Sequence, residues 1–570
     1  MGMITTEHKM LLFFCGCLLI LMIQFARNQK REKEQFLEKA KKNFGKLPER
    51  EYAVEELERI SHYFKNYHKK AEFFLDDLTW NDLGMEDIFL MVNQTYSSIG
   101  EDYLYWLLRT PITDKKELSE RDRLISYFQE HEKERLLLQQ IYHQLGRMKK
   151  HSISDYLLRI KKLTEQKNWH HYAILAAEIL SFSLIFINSA IGVFCLLVSC
   201  GYGVVDYYKE KGKVEPYFVC LRQVTGMLYA ADKLAEVDIK ELGDYLARLK
   251  QLRKECNRIL KESGLIVTQH MSGSIGEVFL DYARMLTHID LIQFNRILKE
   301  IKEKEESICQ IMEVYGFLES MIAAASFRGL LSMYCVPEYL SENSKESRKG
   351  FLSIIDMYHP GIEKPVANSI QAKKGILITG SNASGKSTFL KTVGICCVLA
   401  QTIMTVPAKS YLACLFHLYS SMAIKDNLSL QESYYLAEIK ALKRVLDARK
   451  RGEMVLCLID EVLRGTNTIE RIAASAQVLR QLVAEEGTLC FAATHDLELT
   501  YMLGRWYKNY HFEEEISEGD IQFDYLIREG QAVTRNAIRL LSLLGYPEEL
   551  VESAEKTAEE FVEKGEWRCL

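Results

Sequence analysis

Residues 380–388 read G-S-N-A-S-G-K-S-T and follow the apolar run G-I-L-I at 375–378. The run predicts a buried strand, and the segment from Phe389 to Leu399 predicts the helix that comes after the loop. Glycines at the first and sixth loop positions let the backbone curl around an anion, so that successive N–H groups and the helix N-terminus point at phosphate oxygens. The spacing G-x-x-x-x-G-K-S between a strand and a helix therefore predicts a nucleoside triphosphate site in an α/β P-loop domain.

The loop supplies most of the predicted ligands of ATP. Lys386 is expected to reach the outer phosphates, and the Ser387 hydroxyl is expected to ligate Mg²⁺. The predicted nucleotide-binding residues of the loop are Gly380, Ser381, Asn382, Ala383, Ser384, Gly385, Lys386, Ser387 and Thr388.

Two further apolar runs end in polar residues. The run at 454–459 is followed by Asp460 and Glu461, as in a central parallel strand that delivers carboxylates to its C-terminal edge. We expect Asp460 to hold magnesium through water and Glu461 to orient or deprotonate the attacking water. The run at 488–493 ends in Thr494 and His495, and His495 is expected to sense the terminal phosphate. Glu461, His495 and Lys386 are the predicted catalytic residues, with Ser387 and Asp460 on the metal.

Composition describes a folded chain of several domains. At 570 residues the chain is long enough for roughly three to four domains. A net charge of −5 gives no overall nucleic-acid signature, although a local basic patch stays possible. The 14 cysteines show no paired C-x-x-C spacing, which favours reduced core or membrane residues over a disulfide or zinc framework. Several of them lie inside apolar runs: Cys195, Cys396, Cys457 and Cys490.

Two apolar segments predict attachment to a membrane. Residues 10–23 (M-L-L-F-F-C-G-C-L-L-I-L-M-I) carry no charge and, extended by 24–26, approach the length of a span. An uncleaved anchor is the preferred interpretation, and a cleaved signal peptide is the alternative. Residues 172–208 form a second apolar block, which Asn188 and Ser189 interrupt at its centre. Aromatic flanks favour a hairpin of two short spans, while Glu178 and Asp206 keep a buried soluble hairpin open.

Basic flanks predict the orientation of the three spans. Lysines and arginines follow the first segment, precede the hairpin and follow it, and such flanks are cytoplasmic by the positive-inside rule. The residues are Lys30, Arg31, Lys33, Lys39, Lys41, Lys42, Lys161, Lys162, Lys167, Lys209, Lys211 and Lys213. We therefore expect a multi-pass protein of the cell membrane with its ATPase domain in the cytoplasm.

The remaining regions are predicted to be helical up to about residue 345. Apolar spacing indicates helices from 63 to 167 and amphipathic stretches at 239–260 and 289–312. A basic helix face carrying Arg248, Arg253 and Arg258 fits either a phosphate contact or a solvated surface. From about Ser353, short strands alternate with helices, which predicts a parallel sheet covered on both faces.

The motifs of the C-terminal half are similar, in order and spacing, to the ATPase domain of the MutS mismatch-repair family. The similar segments are I-T-G-S-N-A-S-G-K-S-T (378–388), V-P-A (406–408), D-E-V-L-R-G-T-N-T (460–468) and A-T-H (493–495). His359-Pro360 with 365–368 resembles the family's entry segment, and Asn93 to Tyr127 resembles the opening of its helical core. The resemblance implies a homodimer joined through the ATPase domains and C-terminal helices.

In this resemblance, Ser433 matches the serine that reaches the triphosphate of the opposite subunit. Asn368 of the entry segment and Tyr525, at a stacking position for adenine, are the other implied nucleotide contacts. Pro365 stands where a second stacking aromatic is expected. Only 77 residues precede Leu78, so we expect the mismatch-recognition and connector domains to be missing.

Together these observations predict seven segments. They are a transmembrane anchor (1–27), a charged juxtamembrane helix (28–77), the first part of the helical core (78–168), a transmembrane hairpin (169–208), the second part of the core (209–345), the ATPase domain (346–530) and a C-terminal helix-turn-helix for dimerisation (531–570). The predicted function is a membrane-anchored ATPase with a composite dimer site, for which DNA binding stays open. The alternative is a nucleotide-operated membrane scaffold or transport-associated module without a DNA ligand.

Overall fold

A computed structural model describes most of the chain. The described residues are 6–148, 152–164, 167–267, 275–341, 344–381, 384–422, 434–464, 466–517, 520–531, 538, 541–542 and 545–565. The chain divides into two compact units, each built from three segments. Unit 1 consists of Met1–Lys69, Asn93–Trp106 and Ser126–Ser326, and unit 2 consists of Lys70–Val92, Leu107–Ile125 and Phe327–Leu570.

The described part of unit 1 is helical. Its helices are α1 (Thr6–Asn43), α2 (Val54–Tyr67), α7 (Glu132–Leu145), α8 (Ile153–Lys162), α9 (Trp169–Ile185), α10 (Ser189–Ala235), α11 (Gly243–Glu255), α12 (Asn257–Val267), α13 (Ile275–Thr287) and α14 (Ile289–Glu303). Three more helices pass from one unit's segments into the other's, and they are α5 (Ser98–Arg109), α6 (Lys115–Glu130) and α15 (Glu305–Leu330). The amphipathic stretches predicted at 239–260 and 289–312 are each two helices, since Cys256 and Lys304 separate them.

The apolar block at 172–208 folds as the predicted helical hairpin. Helix α9 ends at Ile185, and α10 begins at Ser189 after a short turn. Asn188 caps α10, because its side chain accepts a hydrogen bond from the N–H of Ile191 at 3.2 Å. Helix α10 then continues for 47 residues, through Pro216, to Ala235.

The hairpin leaves large apolar side chains outside the packed core. Thirteen of these side chains between residues 179 and 208 are exposed, with exposed fractions from 46 to 84%. They are Ile179, Leu180, Phe182, Phe186, Ile187, Ile191, Val193, Phe194, Leu197, Val198, Tyr202, Val205 and Tyr208. A continuous exposed apolar surface of this kind marks an interface with a membrane or a partner.

Among the described residues, two helices are long and apolar enough to cross a membrane, judged by length and composition. One is Ser189–Glu215 within α10, with mean hydropathy 1.7 and 11% of its apolar window buried. The other is α15, whose window is 78% buried, as expected for a core helix of a folded protein. The predicted first span, 10–23, lies within α1, and α9 has 17 residues. Three spans therefore stay a prediction.

Unit 2 contains both sheets. Its strands are β1 (Glu338–Tyr339), β2 (Leu352–Met357), β3 (Asn368–Ala372), β4 (Gly375–Thr379), β5 (Ser410–Ala413), β6 (His417–Ser421), β7 (Val455–Asp460), β8 (Thr488–Ala493), β9 (Tyr507–Ser517) and β10 (Asp520–Glu529). Its helices are α3 (Asp77–Asp82), α4 (Met85–Val92), α16 (Lys345–Lys349), α17 (Lys386–Ile403), α18 (Tyr434–Lys450), α19 (Thr468–Leu482), α20 (Glu498–Met502) and α21 (Glu548–Lys564).

The larger sheet has the order β10-β9-β4-β8-β7-β6 and is parallel from β9 to β6. The three apolar runs that predicted buried strands are β4, β7 and β8, and their side chains are almost completely buried. Ala493 is level with Ile378 on one neighbour and with Asp460 on the other. Hence the loop after β4, the carboxylates after β7 and His495 after β8 all leave the sheet at one edge.

The prediction of a single parallel sheet is incomplete in two respects. Strand β10 is antiparallel to β9 at the edge of the large sheet. A second sheet, of order β1-β5-β2-β3, contains antiparallel pairs of β2 with β3 and with β5. These strands are short, from two to six residues, so hydrophobic pattern alone does not reveal their direction.

The predicted helical tail is described in part. Its last helix is α21, which starts after the predicted break at Gly545 and Pro547. Residues 532–537 and most residues up to 544 lie outside the described residues. The free cysteines among the described residues include the four singled out above.

Candidate nucleotide-binding site

A cavity of about 520 Å³ opens at the C-terminal edge of the large sheet in unit 2. The phosphate loop and the first turn of α17 form its floor, and the residues after β7 and β8 form one side. The entry segment and two aromatic side chains form the other side. The lining residues that follow from the predicted motifs are Ser384, Gly385, Lys386, Ser387, Thr388, Asp460, Glu461, His495, Asn368 and Tyr525.

The backbone of the loop has the curvature that the glycine spacing predicts. Gly380 and Gly385 have φ values of 148° and 104°, a region that other residues rarely adopt. A Cβ on Gly385 would lie 3.2 Å from Cδ1 of Tyr525, and one on Gly380 would lie 3.1 Å from the carbonyl oxygen of Phe512. Both positions therefore need glycine for conformation and for space.

The side chain of Lys386 is buried beneath the phosphate loop. Its Nζ donates to the carbonyl oxygens of Gly380 and Ser381 at 2.8 and 2.5 Å. The side chain is only 5% exposed. These contacts hold the ammonium group under the loop, where it would complement the charge of a bound phosphate.

The two predicted magnesium ligands meet in the structure. The hydroxyl of Ser387, at the start of α17, donates to Oδ2 of Asp460 at the end of β7. Mg²⁺ prefers hard oxygen ligands and keeps several waters when it binds beside substrate phosphates. A hydroxyl and a carboxylate that converge beside a phosphate loop fit this preference, so Ser387 and Asp460 would hold the ion.

Glu461 occupies a strained position between two side chains. Its φ of 59° is in the left-handed region, which is uncommon for a residue with a side chain. Its Oε1 lies 3.0 Å from Nε2 of His495, and its Oε2 accepts from Nε of Arg464. The backbone N–H of Glu461 also bonds to the carbonyl of Ala493 at 2.9 Å. The carboxylate is thus fixed at the sheet edge, facing the cavity.

The environment of His495 keeps its imidazole neutral. Burial lowers the pKa of His495 from its ordinary value, and the cations Lys386 and Arg464 lower it further, against the opposite effect of Asp460. At neutral pH, the contact between His495 and Glu461 is therefore a hydrogen bond between a neutral ring and a carboxylate.

Glu438 on α18 supports the loop that carries Glu461. Its side chain is buried and accepts the backbone N–H of Leu463, which itself has a φ of 58°. Burial raises the pKa of Glu438, although its hydrogen bonds with Leu463 and Arg464 oppose that shift. The sequence did not reveal this role. The available signal was a carboxylate at the start of an apolar helix face that continues at Leu442 and Val445.

On the far side of the cavity, Tyr525 and Asn368 act differently from one another. Tyr525 lines the cavity, is 45% exposed and has a φ of 56°, and its ring is available for stacking on a base. The amide of Asn368 is bound to backbone: its Nδ2 donates to the carbonyl of Tyr525 at 2.9 Å, and its Oδ1 accepts from Ile527 N at 2.8 Å. Asn368 therefore fixes the irregular part of β10 and thereby places Tyr525.

The structure also adds wall residues to the predicted set. Phe512 on β9 and His359 of the entry segment line the cavity, as does Pro365. Burial lowers the pKa of His359. Of the predicted ligands, Asn382, Ala383 and Ser433 lie outside the described residues, and Gly380 and Ser381 form the base of the loop behind Lys386.

Comparison with known proteins gives a match to this part of the chain. Residues 376–562 match the family model described as MutS domain V. The matched region begins in β4, continues through the Asp460 and His495 edge, and ends in α21.

Individual relatives are also similar to this chain. The "DNA mismatch repair protein MutS" of Aquifex pyrophilus is 33% identical over 238 residues, which cover 40% of this chain and 28% of that protein. The "DNA mismatch repair protein MutS 2" of Haloarcula marismortui is 34% identical over 179 residues, covering 31% of this chain and 19% of that protein. The "DNA mismatch repair protein MutS" of Petrotoga mobilis is 23% identical over 567 residues, covering 88% and 67%. The chain thus spans less than a third of the length of the first two relatives.

Proposed function

We propose, from the match of residues 376–562 to MutS domain V, that the chain is an ATPase of the MutS family that binds Mg²⁺ and ATP in the cavity of unit 2. The observation that carries the proposal is the convergence of Lys386, the Ser387–Asp460 pair and Glu461 at one sheet edge. A phosphate cradle, a metal-ligand pair and a fixed carboxylate are the parts that phosphoryl transfer to water requires.

Each group has a defined task in this proposal. Lys386 and the loop N–H groups bind and orient the phosphates, and the ion held by Ser387 and Asp460 supplies charge neutralisation when bound. Glu461 orients a water molecule and accepts its proton, and such general-base assistance contributes about 10²- to 10⁴-fold in rate. His495 holds Glu461 in place by the contact of 3.0 Å.

We further propose that two ATPase domains face each other and share the nucleotide, with Ser433 reaching the partner's triphosphate. The support is the motif resemblance around Ser433 and the position of Glu438 in the same segment. Because Glu438 bonds to the loop after β7, a contact that a partner makes near Ser433 would be transmitted to Glu461. Binding of ATP would close this dimer and hydrolysis would release it.

The hairpin supports the proposal that the protein is held in a membrane. Its exposed apolar side chains cover α9 and the first part of α10, and the basic residues on both flanks favour a cytoplasmic ATPase domain. The proposed arrangement keeps the predicted anchor in α1 as a further span.

Two candidate functions differ in whether the protein binds DNA. The named relatives are DNA mismatch repair proteins, which supports DNA as the ligand of this chain. The second candidate is a membrane module that uses ATP without DNA, and the large exposed apolar surface of the hairpin favours it.

The decisive measurement is the ATPase rate of the detergent-solubilised full chain with duplex, mismatched, branched or no DNA, at two salt concentrations. Lys386→Ala is the blank, since it removes the phosphate-binding ammonium group. Glu461→Gln keeps the shape of the side chain, so we expect it to retain ATP binding, lose turnover and accumulate as an ATP-bound dimer.

The outcomes separate the candidates. Stimulation by DNA that disappears at high salt would identify phosphate contacts, whose affinity falls steeply with ionic strength. Turnover that is indifferent to every DNA would favour the membrane module. Unchanged turnover in both variants would refute the ATPase proposal itself.

A further inference from the structure

At the base of the hairpin, two buried histidines and an aspartate converge from three elements of unit 1. His171 lies in the first turn of α9, Asp206 lies in α10, and His288 lies between α13 and α14. One ligand atom of each side chain lies within 4.8 Å of the other two. His171 and His288 are only 4% and 1% exposed. The nucleotide site in unit 2 uses none of these residues.

The hydrogen bonds of His288 decide which ring nitrogen carries its proton. Its Nε2 lies 2.9 Å from the carbonyl oxygen of Gly203, which can only accept, so Nε2 is the donor. In the neutral ring, Nδ1 then presents a lone pair, and this atom lies 3.0 Å from Nδ1 of His171. Histidines that bind metal ions usually donate their other ring N–H to a carbonyl or carboxylate, which orients the ligating nitrogen. His288 has this arrangement.

The distance between the two Nδ1 atoms is close to that set by a shared ion. Zinc binds imidazole nitrogen at about 2.0–2.1 Å, so two such ligands at a tetrahedral angle are about 3.3 Å apart. The observed separation is 3.0 Å, and a small ring movement makes up the difference. Imidazole nitrogen with carboxylate oxygen is a ligand set that suits zinc and neighbouring transition metals.

Asp206 supplies the carboxylate and is itself held in place. The side chain is 12% exposed, and its Oδ2 lies 3.0 Å from Nε2 of His170. This contact holds the carboxylate, which has an oxygen within 4.8 Å of a ring nitrogen of each buried histidine. A carboxylate in a largely buried position beside two imidazole rings is better stabilised by a divalent cation than by the rings alone.

Gly203 allows α9 and α10 to pack closely beside His288. A Cβ on Gly203 would lie 2.9 Å from Oε1 of Glu178 and 3.8 Å from Nε2 of His288. A larger residue would therefore collide with Glu178 and push α9 away from α10 beside the histidine. His288 also has a φ of 51°, a left-handed conformation that a residue with a side chain rarely adopts.

We propose that His171, Asp206 and His288 bind a divalent transition-metal ion such as zinc. The ion fastens the base of the hairpin to the connection between α13 and α14. A bound water completes the coordination, and His170 orients Asp206. The metal site is independent of the nucleotide site and of the proposed ATPase activity.

The test is zinc binding by the full chain in detergent, freed of metal with a chelator and measured by metal analysis and competition with a chromogenic chelator. We expect one zinc ion per chain, and a loss of affinity of at least about 100-fold in His171→Gln and in His288→Gln. His170→Gln, which alters an orienting contact, is expected to weaken binding by about 10- to 100-fold. The matched control is His62→Gln, because His62 pairs with Asp155 without a second histidine.

A spectroscopic measurement covers the case in which a histidine variant fails to fold. Cobalt bound to the unmodified chain should give the visible bands of a low-coordinate nitrogen and oxygen site, without the near-ultraviolet charge-transfer band of a thiolate ligand. A thiolate band, a zinc content that survives in His171→Gln and His288→Gln, or no stoichiometric zinc in the parent would each overturn the proposal. The last outcome would mean that the two rings share only a hydrogen bond.

Discussion

Replacing Leu197 by aspartate tests whether the hairpin lies in a bilayer. Leu197 is on the apolar part of α10 and is 69% exposed, so the substitution leaves the packed core untouched. Leucine near the middle of a spanning helix contributes about −0.3 to −0.6 kcal/mol to insertion, and aspartate about +2.5 to +3.5 kcal/mol. The change of about 3–4 kcal/mol corresponds to a roughly 100- to 1,000-fold shift against the inserted state.

The assay places a reporter on the other arm of the hairpin. Leu180→Trp puts a tryptophan at a position of α9 that is also 69% exposed. In proteoliposomes, lipids brominated on their acyl chains should quench this fluorescence relative to the chain without the added tryptophan. Adding Leu197→Asp should abolish most of the extra quenching.

A matched control comes from the same helix. Tyr229 is 45% exposed but lies beyond the predicted span, so Tyr229→Asp should leave the quenching unchanged. Insertion of the hairpin is refuted if the Leu180→Trp variant shows no extra quenching at all, since the apolar surface would then be covered by protein. Equal quenching with and without Leu197→Asp would also refute it.

Three further expectations concern the nucleotide site. Glu438→Ala removes the buried acceptor that holds the loop after β7, which costs about 1–3 kcal/mol. Steady-state kinetics should therefore show kcat lower by roughly 10- to 100-fold with little change in KM. Glu438→Gln keeps an acceptor oxygen and should lower kcat less. The pKa of His495 is lowered, so the ATPase rate should be level from pH 7 to 8 and fall below about pH 6, where the protonated ring would bind Glu461 as an ion pair. His495→Asn should flatten this fall in the pH–rate profile. An unchanged profile in that variant would contradict the role assigned to His495. Gly385→Ala forces a side chain into φ 104° at 3.2 Å from Tyr525, and titration with a fluorescent ATP analogue should show binding about 5- to 30-fold weaker; unaltered affinity would show that the loop tolerates the strain.

The sequence predicted the parts of the site that depend on local order. A buried strand, a glycine loop and a helix follow one another without interruption, so the spacing of G-S-N-A-S-G-K-S-T predicts a phosphate-binding loop by itself. Asp460, Glu461 and His495 were also predictable, because parallel strands bring their C-terminal ends to a common edge. The turn of the hairpin at Asn188 followed from its break in an apolar block, and the structure adds that its side chain caps α10.

What escaped prediction depends on contacts between residues distant in sequence. From the sequence, Glu438 is expected on a helix surface. The structure shows that it binds the loop at Leu463. Asn368 lines the cavity and its nucleotide contact stays a prediction, but spacing did not reveal that its amide is bound to the backbone of β10. His171 and His288 are 117 positions apart in the sequence, and sequence spacing does not predict a contact between residues so distant.

The unbroken course of α10 has a mechanical consequence. At about 1.5 Å per residue, its 47 residues make a rod of about 70 Å. A tilt of about 10° at the apolar end would swing the opposite end through about 12 Å, so a small movement of the hairpin becomes a large displacement at the far end of α10. Pro216 lacks the N–H that would bond to the carbonyl of Gly212, and it marks the place where such a rod bends first under load.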